Sequence, residues 1–301
     1  MSPTRSRQAE LLLDVRNHTG ECPVWNAATQ SLYWVDIPAN QLNSYRLSDQ
    51  TLQQWNAPEM LACITRSAIE GQWIAGAQTG VFRATAGPTG RLDFTSIAPV
   101  EHAMAGMRFN DGRCDRQGRF LAGTMLMDMP AAAPVGAIYR LGADGALEKL
   151  LDGFVTPNGM AFSPDGRTMY LSDSHPSVRR VWRYAYDVER GIPCNPTPFL
   201  DMDQFAGRPD GAAMDTDGCY WICGIDAGLV HRYTPQGRHD FSIKVPVAKP
   251  TMCAFGGADL RTLYITSIRP ANAADTDPAG GLFAIHLHDI QGFPESACST
   301  H

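Results

Sequence analysis

The chain has 301 residues and a formal net charge of −6, and hydrophobic residues make up 44% of it. This length suits one large domain, and the apolar fraction is that of a globular protein. The negative charge gives no electrostatic basis for a nucleic-acid partner. No apolar run is long enough for a signal core or a membrane span, so we expect a soluble, cytoplasmic protein without a membrane partner.

The eight cysteines are scattered along the chain, and no Cys-x-x-Cys pair occurs among them. This spacing argues against a structural zinc site, and a disulfide framework is untypical of a chain of this length. Several cysteines lie inside apolar runs, where a thiol packs as a small hydrophobic group. We therefore expect reduced cysteines in the core.

Short β-rich runs separated by Gly, Pro, Asp and Asn predict strands along the whole chain. The six strongest runs recur about every 40 to 50 residues, at 32–36, 73–76, 120–123, 169–172, 220–223 and 263–266. Most of them precede a second strand that carries an aromatic residue, as at 42–46 and 181–184.

A repeat of this length with several strands per unit is typical of the blades of a β-propeller. Six units fill the sequence, which predicts an all-β, six-bladed β-propeller that forms a single domain over residues 1–301. The alternative is a β-sandwich, in which turn signals recur about every 8–12 residues without the longer period.

Polar residues occupy equivalent positions in several of these units. Asn110, Asn158 and Asp210 each lie eight positions before a turn glycine, namely Gly118, Gly166 and Gly218. Glu21 precedes Tyr33 by the same 12 positions that separate Asn158 from Tyr170. Because the innermost strands of a propeller line its central channel, we expect these side chains to converge there.

The units without such a residue place Ile64-Thr65 and Thr251-Met252 at this level. The predicted ring is therefore carboxylate, neutral, amide, amide, carboxylate and neutral. The alternative is that Asn-Gly and Asp-Gly are ordinary turn dipeptides, and that Glu21 is a surface acid.

Glu21, Asn158 and Asp210 together offer only oxygen ligands, which suit a divalent cation such as Ca²⁺, Mg²⁺ or Mn²⁺. Two carboxylates balance its charge and would repel each other without it. Three protein ligands would also leave positions open for water and substrate, as a catalytic metal requires.

Other catalytic signatures do not occur in the sequence. It contains no Gly-x-Ser-x-Gly nucleophile elbow, no His-Glu-x-x-His motif and no phosphate-binding glycine loop. The histidines show no metal-ligand spacing, and we expect His18 and His102 to be loop residues near the mouth of the channel.

Several spaced motifs resemble those of a known family. GECPVW at 20–25 resembles a first motif GEGPVW, and RFNDG at 108–112 resembles RxNDG. PNG at 157–159, PDG at 209–211 and FGGADL at 255–260 follow in the family's order. The chain is thereby similar, over almost its whole length, to the senescence-marker-protein/gluconolactonase/luciferin-regenerating family, which includes regucalcin and bacterial sugar lactonases.

The resemblance implies a six-bladed propeller with one divalent metal in its channel, held by Glu21, Asn158 and Asp210. It also implies sugar-contacting side chains, namely Arg108, Asn110 and Asp128, the last at a position often held by Glu. The second glycine of the first motif is Cys22 here, which raises the question of the reactivity of that thiol.

The implied function is hydrolysis of a sugar-acid lactone, an aldono- or aldarolactone, to the free acid in carbohydrate catabolism. A divalent ion would act as a Lewis acid, and Asp210 is the candidate general base. The ion could be Ca, Zn, Mn, Mg or Fe(II), and we expect loops 128–136 and 174–180 to choose the lactone. Two alternatives stay open: a hydrolase of another ester class, and a calcium-binding regulatory protein.

Overall fold

A computed structural model describes residues 7–299 as six four-stranded antiparallel sheets. The first blade contains β2 (Gly20–Asn26), β3 (Ser31–Asp36), β4 (Gln41–Arg46) and β5 (Thr51–Asn56). The second contains β6 (Leu61–Arg66), β7 (Gln72–Ala77), β8 (Gly80–Ala86) and β9 (Leu92–Pro99). The third contains β10 (Met107–Cys114), β11 (Phe120–Leu126), β12 (Gly136–Leu141) and β13 (Leu147–Phe154).

The fourth blade contains β14 (Pro157–Phe162), β15 (Thr168–Asp173), β16 (Arg180–Asp187) and β17 (Ile192–Asp201). The fifth contains β18 (Arg208–Met214), β19 (Tyr220–Ile225), β20 (Leu229–Tyr233) and β21 (His239–Lys244). Two short 3-10 helices, Met129–Ala131 and Met202–Gln204, lie in the loops. Strands from adjacent chain segments thus pair in simple meanders, as the repeat predicted.

The sixth blade joins the two ends of the described chain. It contains β22 (Pro250–Gly256), β23 (Thr262–Ser267), β24 (Leu282–His286) and β1 (Glu10–Leu13). β1 pairs antiparallel with β24, so a strand from the start of the chain completes the last sheet. The prediction of an all-β, six-bladed propeller is confirmed.

The two inner strands of each blade are more deeply buried than its outermost strand. Every residue of β14 and β22 is buried, whereas β5, at the outer edge of the first blade, is almost entirely exposed. Large aromatic side chains such as Trp34 and Trp221 are fully buried between neighbouring sheets. Burial of such groups is the main favourable contribution to packing the blades around the channel.

All six inner strands begin at the same end of the channel, which we call the upper end, and finish at the lower end. Because the strands of each blade are antiparallel, the loop between the second and third strands also lies at the upper end. The loops 127–135 and 174–179 are of this kind. Hairpin turns such as Asp165-Gly166 lie at the lower end.

A break in the ladder recurs in each inner strand at its upper part. The register shifts between Glu21 and Val24, Leu61 and Cys63, Phe109 and Gly112, Asn158 and Ala161, Pro209 and Ala212, and Pro250 and Cys253. Bulges of this kind re-aim side chains relative to regular alternation. The six strands therefore turn individual side chains towards the channel at one level.

The segment 292–299 crosses the lower end of the channel and is tied to several blades. The backbone nitrogen of Phe293 donates to the Met214 carbonyl at 2.9 Å, and that of Cys298 donates to the Arg66 carbonyl at 2.7 Å. Ser299 N donates to the Gly118 carbonyl at 2.9 Å. This segment forms a floor beneath the channel.

Two expectations about the chain as a whole can be compared with the fold. All eight cysteines lie within the described residues and none forms a disulfide; all except Cys194 are buried, as expected for core thiols. Within residues 7–299, no helix combines the length and apolar character needed to cross a membrane.

Candidate functional site

Three blades bring the predicted metal ligands to the upper end of the channel. Glu21 lies near the start of β2, Asn158 near the start of β14 and Asp210 near the start of β18. The Asn158 amide nitrogen donates to Asp210 Oδ1 at 2.6 Å. Glu21 and Asn158 also line the same narrow cavity. Asn158 and Asp210, which are 52 positions apart in the sequence, thus share one site with the still more distant Glu21.

These polar residues are parts of strands, and not of hairpin turns. Asn158-Gly159 lies inside β14 and Asp210-Gly211 lies inside β18. The true turn is Asp165-Gly166, where Asp165 accepts a backbone hydrogen bond from Arg167 at 3.0 Å. The alternative interpretation of the site dipeptides as turns is therefore wrong for these two pairs.

The charge at this level is predominantly negative. Burial raises the pKa of Glu21 well above its usual value, and the nearby carboxylates of Asp210 and Asp111 raise it further. Burial likewise raises the pKa of Asp210, although Arg208 opposes this shift. Both shifts express the cost of holding like charges close together away from water.

The donor set fits a divalent cation. Two carboxylates would neutralise a dication, and the Asn158 amide, whose nitrogen faces Asp210, has its oxygen left as a third ligand. Among residues 7–299, no three His, Cys, Asp or Glu side chains are arranged so that they alone could hold a metal ion, so a set built on Glu21 and Asp210 needs a ligand of another kind, which Asn158 can supply.

Asp111 is a site residue that the sequence analysis missed. It lines the same cavity as Glu21 and is 7% exposed. Its Oδ2 accepts a hydrogen bond from Met160 N at 2.8 Å, while Oδ1 is buried without a hydrogen-bond partner. The signal was its place beside Asn110 in RFNDG, but only the bulge in β10 shows that both residues face the cavity.

The predicted substrate residues Arg108 and Asn110 are joined to β14, the strand that carries the predicted ligand Asn158. Arg108 Nη1 donates to Asn110 Oδ1 at 2.9 Å, and Asn110 Nδ2 donates to the Pro157 carbonyl at 3.1 Å. Pro157 directly precedes Asn158. The two strands β10 and β14 therefore hold the candidate substrate wall and a candidate ligand in fixed relation.

Arg108 supplies a positive charge beside this group of acids. Burial lowers the pKa of Arg108 to about 10, while the carboxylates of Glu21 and Asp210 favour its charged form. The guanidinium thus stays protonated at neutral pH. A planar cation in this place can donate to lactone hydroxyls or to a carboxylate.

Asp128 stands apart from this network. It is exposed and occupies the N-cap of the 3-10 helix Met129–Ala131, without a side-chain capping bond. It lies in the loop after β11, at the same upper end as Glu21 and Asp210. Asp128 is therefore a rim residue at the same end of the channel as Glu21 and Asp210, and it is not a member of their hydrogen-bonded group.

His18 and His102 are loop residues at the upper end, as expected. The His18 side chain is 75% exposed and its Nδ1 lies 3.6 Å from Asp36 Oδ2. His102 Nε2 is 2.8 Å from the Gln78 carbonyl oxygen. Neither contact joins a histidine to the candidate ligands.

Cys22 has an unusual backbone and an inert thiol. Its φ is 48°, a left-handed conformation that a side chain disfavours and that the glycine of the related motif would adopt freely. Its Sγ is buried 3.3 Å from both the nitrogen and the carbonyl oxygen of Ile64. Burial raises the pKa of Cys22 to about 12, so the thiolate nucleophile is scarce at neutral pH.

Both positions predicted to be neutral carry neutral residues, but the residues assigned to the second blade are wrong. Met252 lines the site cavity as expected, but in the second blade Ala62 takes this place. Ile64 and Thr65 line a separate, lower cavity near the floor. The difference arises because the bulge between Leu61 and Cys63 changes which residues reach the upper level.

These observations define a six-bladed propeller with an oxygen-lined site in its channel. The family model described as the SMP-30/gluconolactonase/LRE-like region matches residues 19–269. The chain therefore belongs to this family, as the motifs of the sequence indicated.

Relatives of known activity match most of the chain. It is 38% identical over 258 residues to 6-deoxy-6-sulfogluconolactonase of Pseudomonas putida, with 85% of each chain covered. It is 38% identical over 285 residues to L-arabinolactonase of Azospirillum brasilense, covering 92% of this chain and 91% of that one. The crystal structure of a calcium-binding protein, regucalcin, from Agrobacterium tumefaciens has a TM-score of 0.88 at 28% identity, with 97% of both chains covered.

Proposed function

We propose that this chain is a lactonase that hydrolyses a sugar-acid lactone to the free acid with the help of a divalent cation held by Glu21, Asn158 and Asp210. The observation that carries the metal dependence is the meeting of a part-buried and a buried carboxylate, Glu21 and Asp210, both with raised pKa values, and an amide at one level of the channel. The lactonase activity is supported by membership of the family and by the names of its curated members.

The reaction adds water to the lactone carbonyl and breaks the ring C–O bond. The attacking water loses one proton, and the ring oxygen gains one as it leaves as a hydroxyl, so no further reactant is needed. When bound, the cation would polarise the carbonyl and stabilise the oxyanion as a Lewis acid. The chain must supply the proton transfers and the orientation of the lactone.

Asp210 is the proposed general base. It is buried at 5% exposure, and its Oδ1 is held by the Asn158 amide at 2.6 Å, which leaves Oδ2 as the proton acceptor. A base of this kind must lie within hydrogen-bond reach of the water that it deprotonates. After ring opening, the same carboxyl can return the proton to the departing oxygen.

Arg108, Asn110 and Asp128 are the proposed substrate residues. The Nη1 atom of Arg108 is engaged with Asn110 and the Phe109 carbonyl, which fixes the guanidinium plane and leaves its other donors for the sugar. Asp128, exposed at the rim, is suited to accept hydrogen bonds from hydroxyls farther from the carbonyl. Such contacts restrict the bound lactone to a reactive orientation.

A calcium-binding regulatory protein is the second candidate, because the superposed regucalcin is described as calcium-binding. The hydrogen-bonded pair Arg108 and Asn110 favours the enzyme, since a cation site alone has no need of a part-buried guanidinium beside it. A hydrolase of another ester class would use the same base and cation, and would differ in the residues that contact the substrate.

One assay separates these functions. Acid release from aldonolactones, aldarolactones, an aryl ester and a phosphate ester is followed with a pH indicator, using chelated protein and protein supplied with Ca²⁺, Zn²⁺, Mn²⁺, Mg²⁺ or Fe²⁺. We expect hydrolysis of sugar lactones that depends on added metal. Binding of Ca²⁺ without turnover of any ester would favour the regulator, and turnover of the other esters alone would reassign the substrate class.

A further inference from the structure

Two adjacent buried residues join the rim loop of Asp128 to the strand of Asp210. Ser174 and His175 directly follow β15 and are 3% and 8% exposed. The Ser174 hydroxyl donates to the carbonyl of Pro209, the residue before Asp210. His175 Nε2 lies 3.1 Å from the carbonyl oxygen of Met129, the residue after Asp128.

The hydrogen bonds of His175 determine its tautomer. The backbone nitrogen of Ser177 donates to His175 Nδ1 at 3.2 Å, and the Ser177 hydroxyl lies 2.7 Å from the same atom. Nδ1 is therefore an acceptor, and the ring proton is on Nε2. Nε2 donates this proton to the Met129 carbonyl, which ties the rim loop to the fourth blade.

The loop that carries Asp128 has a second tie at the same residue. The Thr156 hydroxyl donates to the Met129 sulfur at 3.3 Å, whereas the Asp128 side chain itself is exposed. The position of Asp128 therefore depends on how the neighbouring Met129 is held. His175 contributes the bond to the backbone, which fixes the course of the chain beside Asp128.

The Ser174 side of the dipeptide is equally fixed. Its backbone nitrogen donates to the Thr156 carbonyl at 2.9 Å, and its own carbonyl accepts a hydrogen bond from Arg208 Nη1 at 2.9 Å. Arg208 lies two residues before Asp210. Ser174 is thus bonded to both of the residues that directly precede the proposed base.

We propose that Ser174 and His175 are positioning residues that set the spacing between the rim acid Asp128 and the metal-side acid Asp210. This inference rests on the proposed lactone hydrolysis, in which Asp128 contacts the sugar and Asp210 acts at the carbonyl. His175 acts on sugar binding through Met129, and Ser174 acts on the base through Pro209. Small displacements of such groups are costly because the reacting atoms must be aligned.

The first test is the His175→Ala variant, assayed on the best sugar lactone with saturating metal. We expect KM to rise about tenfold, the effect of about one lost hydrogen bond, with kcat and the metal concentration for half-maximal activity unchanged. His175→Gln, whose amide nitrogen can donate to the Met129 carbonyl, should recover part of this loss. Ser174→Ala should instead raise the metal requirement and leave KM close to that of the unmodified protein.

His231 provides a matched control. It is 3% exposed, its Nδ1 lies 2.8 Å from the Ser242 hydroxyl, and its Nε2 lies 2.9 Å from the Ala206 carbonyl oxygen. His231→Ala therefore removes the same kinds of hydrogen bond at a place away from Asp128. We expect the Tm of His231→Ala to fall by about as much as the Tm of His175→Ala, while its KM stays that of the unmodified protein.

The double variant Asp128→Ala/His175→Ala tests whether His175 affects KM through Asp128. If His175 acts through Asp128, its removal should add little to the KM of Asp128→Ala, whereas independent effects would multiply. Multiplying effects, or equal KM values for the His175→Ala and His231→Ala variants, would overturn the inference.

Two further measurements keep the outcomes apart. If His175→Ala unfolds at the assay temperature, Ser177→Ala removes only the hydroxyl contact with Nδ1; a smaller rise in KM supports the inference and an unchanged KM contradicts it. Absence of lactone hydrolysis by the unmodified protein with every metal would instead contradict the proposed function.

Discussion

The two ends of the channel treat buried charge in opposite ways. At the lower end, Glu295 of the floor segment pairs with Arg113, which also donates to the Ala212 carbonyl at 2.6 Å. Although burial works against the charge of Arg113, Glu295 and Asp111 raise its pKa. At the upper end, Glu21 and Asp210 lie close enough to raise the pKa of Glu21, and the surrounding cations do not reverse either shift.

This difference separates a structural charge from a functional one. A buried ion pair is tolerated because each partner compensates the other and hydrogen bonds satisfy the rest. Uncompensated carboxylates lower stability and are expected where a ligand supplies the missing charge. The channel therefore has a closed, neutralised floor and an upper site with an excess of negative charge, and this contrast is the basis of the predictions below.

The largest expected effect is on catalysis at the upper end. Asp210→Asn keeps the size of the side chain but removes its basicity, so we expect kcat to fall by about 10²- to 10⁴-fold with metal present. The initial rate on the best lactone measures this loss. The same substitution at Asp93, an exposed acid of the outer strand β9, is the matched control and should leave the rate unchanged.

Undiminished turnover by Asp210→Asn would contradict the role of Asp210 as base but not the metal site. The metal site has its own test in the alanine variants of Glu21 and Asn158. Each should abolish the metal-dependent part of the hydrolysis and weaken metal binding measured by calorimetry. Unchanged metal affinity in both would contradict the proposed ligand set.

The next effect is on stability at the lower end. Arg113→Met removes one partner of the buried pair and leaves Glu295 uncompensated, which should lower the free energy of unfolding by about 3 kcal/mol. Denaturant unfolding measures this change. Glu295→Gln, which retains a hydrogen-bond acceptor for Arg113, should cost clearly less. A fall in the kcat of lactone hydrolysis under conditions where the variant is fully folded would show that the floor also belongs to the active site.

The smallest effect is a gain of stability at the upper end. In chelated protein, Glu21→Gln removes the repulsion with Asp210 and should raise the free energy of unfolding at pH 7 by about 1 kcal/mol. With saturating metal the sign should reverse, because the variant lacks a charged ligand. A variant that is less stable than the unmodified protein under both conditions would contradict the uncompensated charge of the site.

The same shift gives this stability a pH dependence. The unfolded glutamate ionises from its ordinary pKa of 4.5, whereas folded Glu21 keeps its proton to a higher pH. Between the two values the folded state binds more protons, so chelated protein should lose stability as pH rises through this window. Thermal unfolding between pH 4 and 8 measures how the stability of the unmodified protein and that of Glu21→Gln each change with pH. The variant should show the smaller loss.

The site could be predicted in part because a repeat converts sequence phase into position. Asn158 and Asp210, taken as equivalent by their distance from a turn glycine, lie 2.6 Å apart between their polar atoms. Asp111 could not be assigned in this way, because regular alternation would point neighbours to opposite faces, and the β10 bulge brings Asn110 and Asp111 to the same cavity. In the second blade, a bulge likewise places Ala62 at the site cavity, where the sequence predicted Ile64.

The sequence by itself determined the six blades and the oxygen-bearing residues that face their channel, because strand periodicity and turn residues are local properties. Only the tertiary structure determined which residues surround these channel-facing side chains. The Arg113–Glu295 floor and the bond from His175 to Met129 join residues that are far apart in the chain, and no local pattern encodes such pairs. The balance of charge in the channel depends on these contacts, so only the folded chain distinguishes the neutral lower end from the acidic upper end.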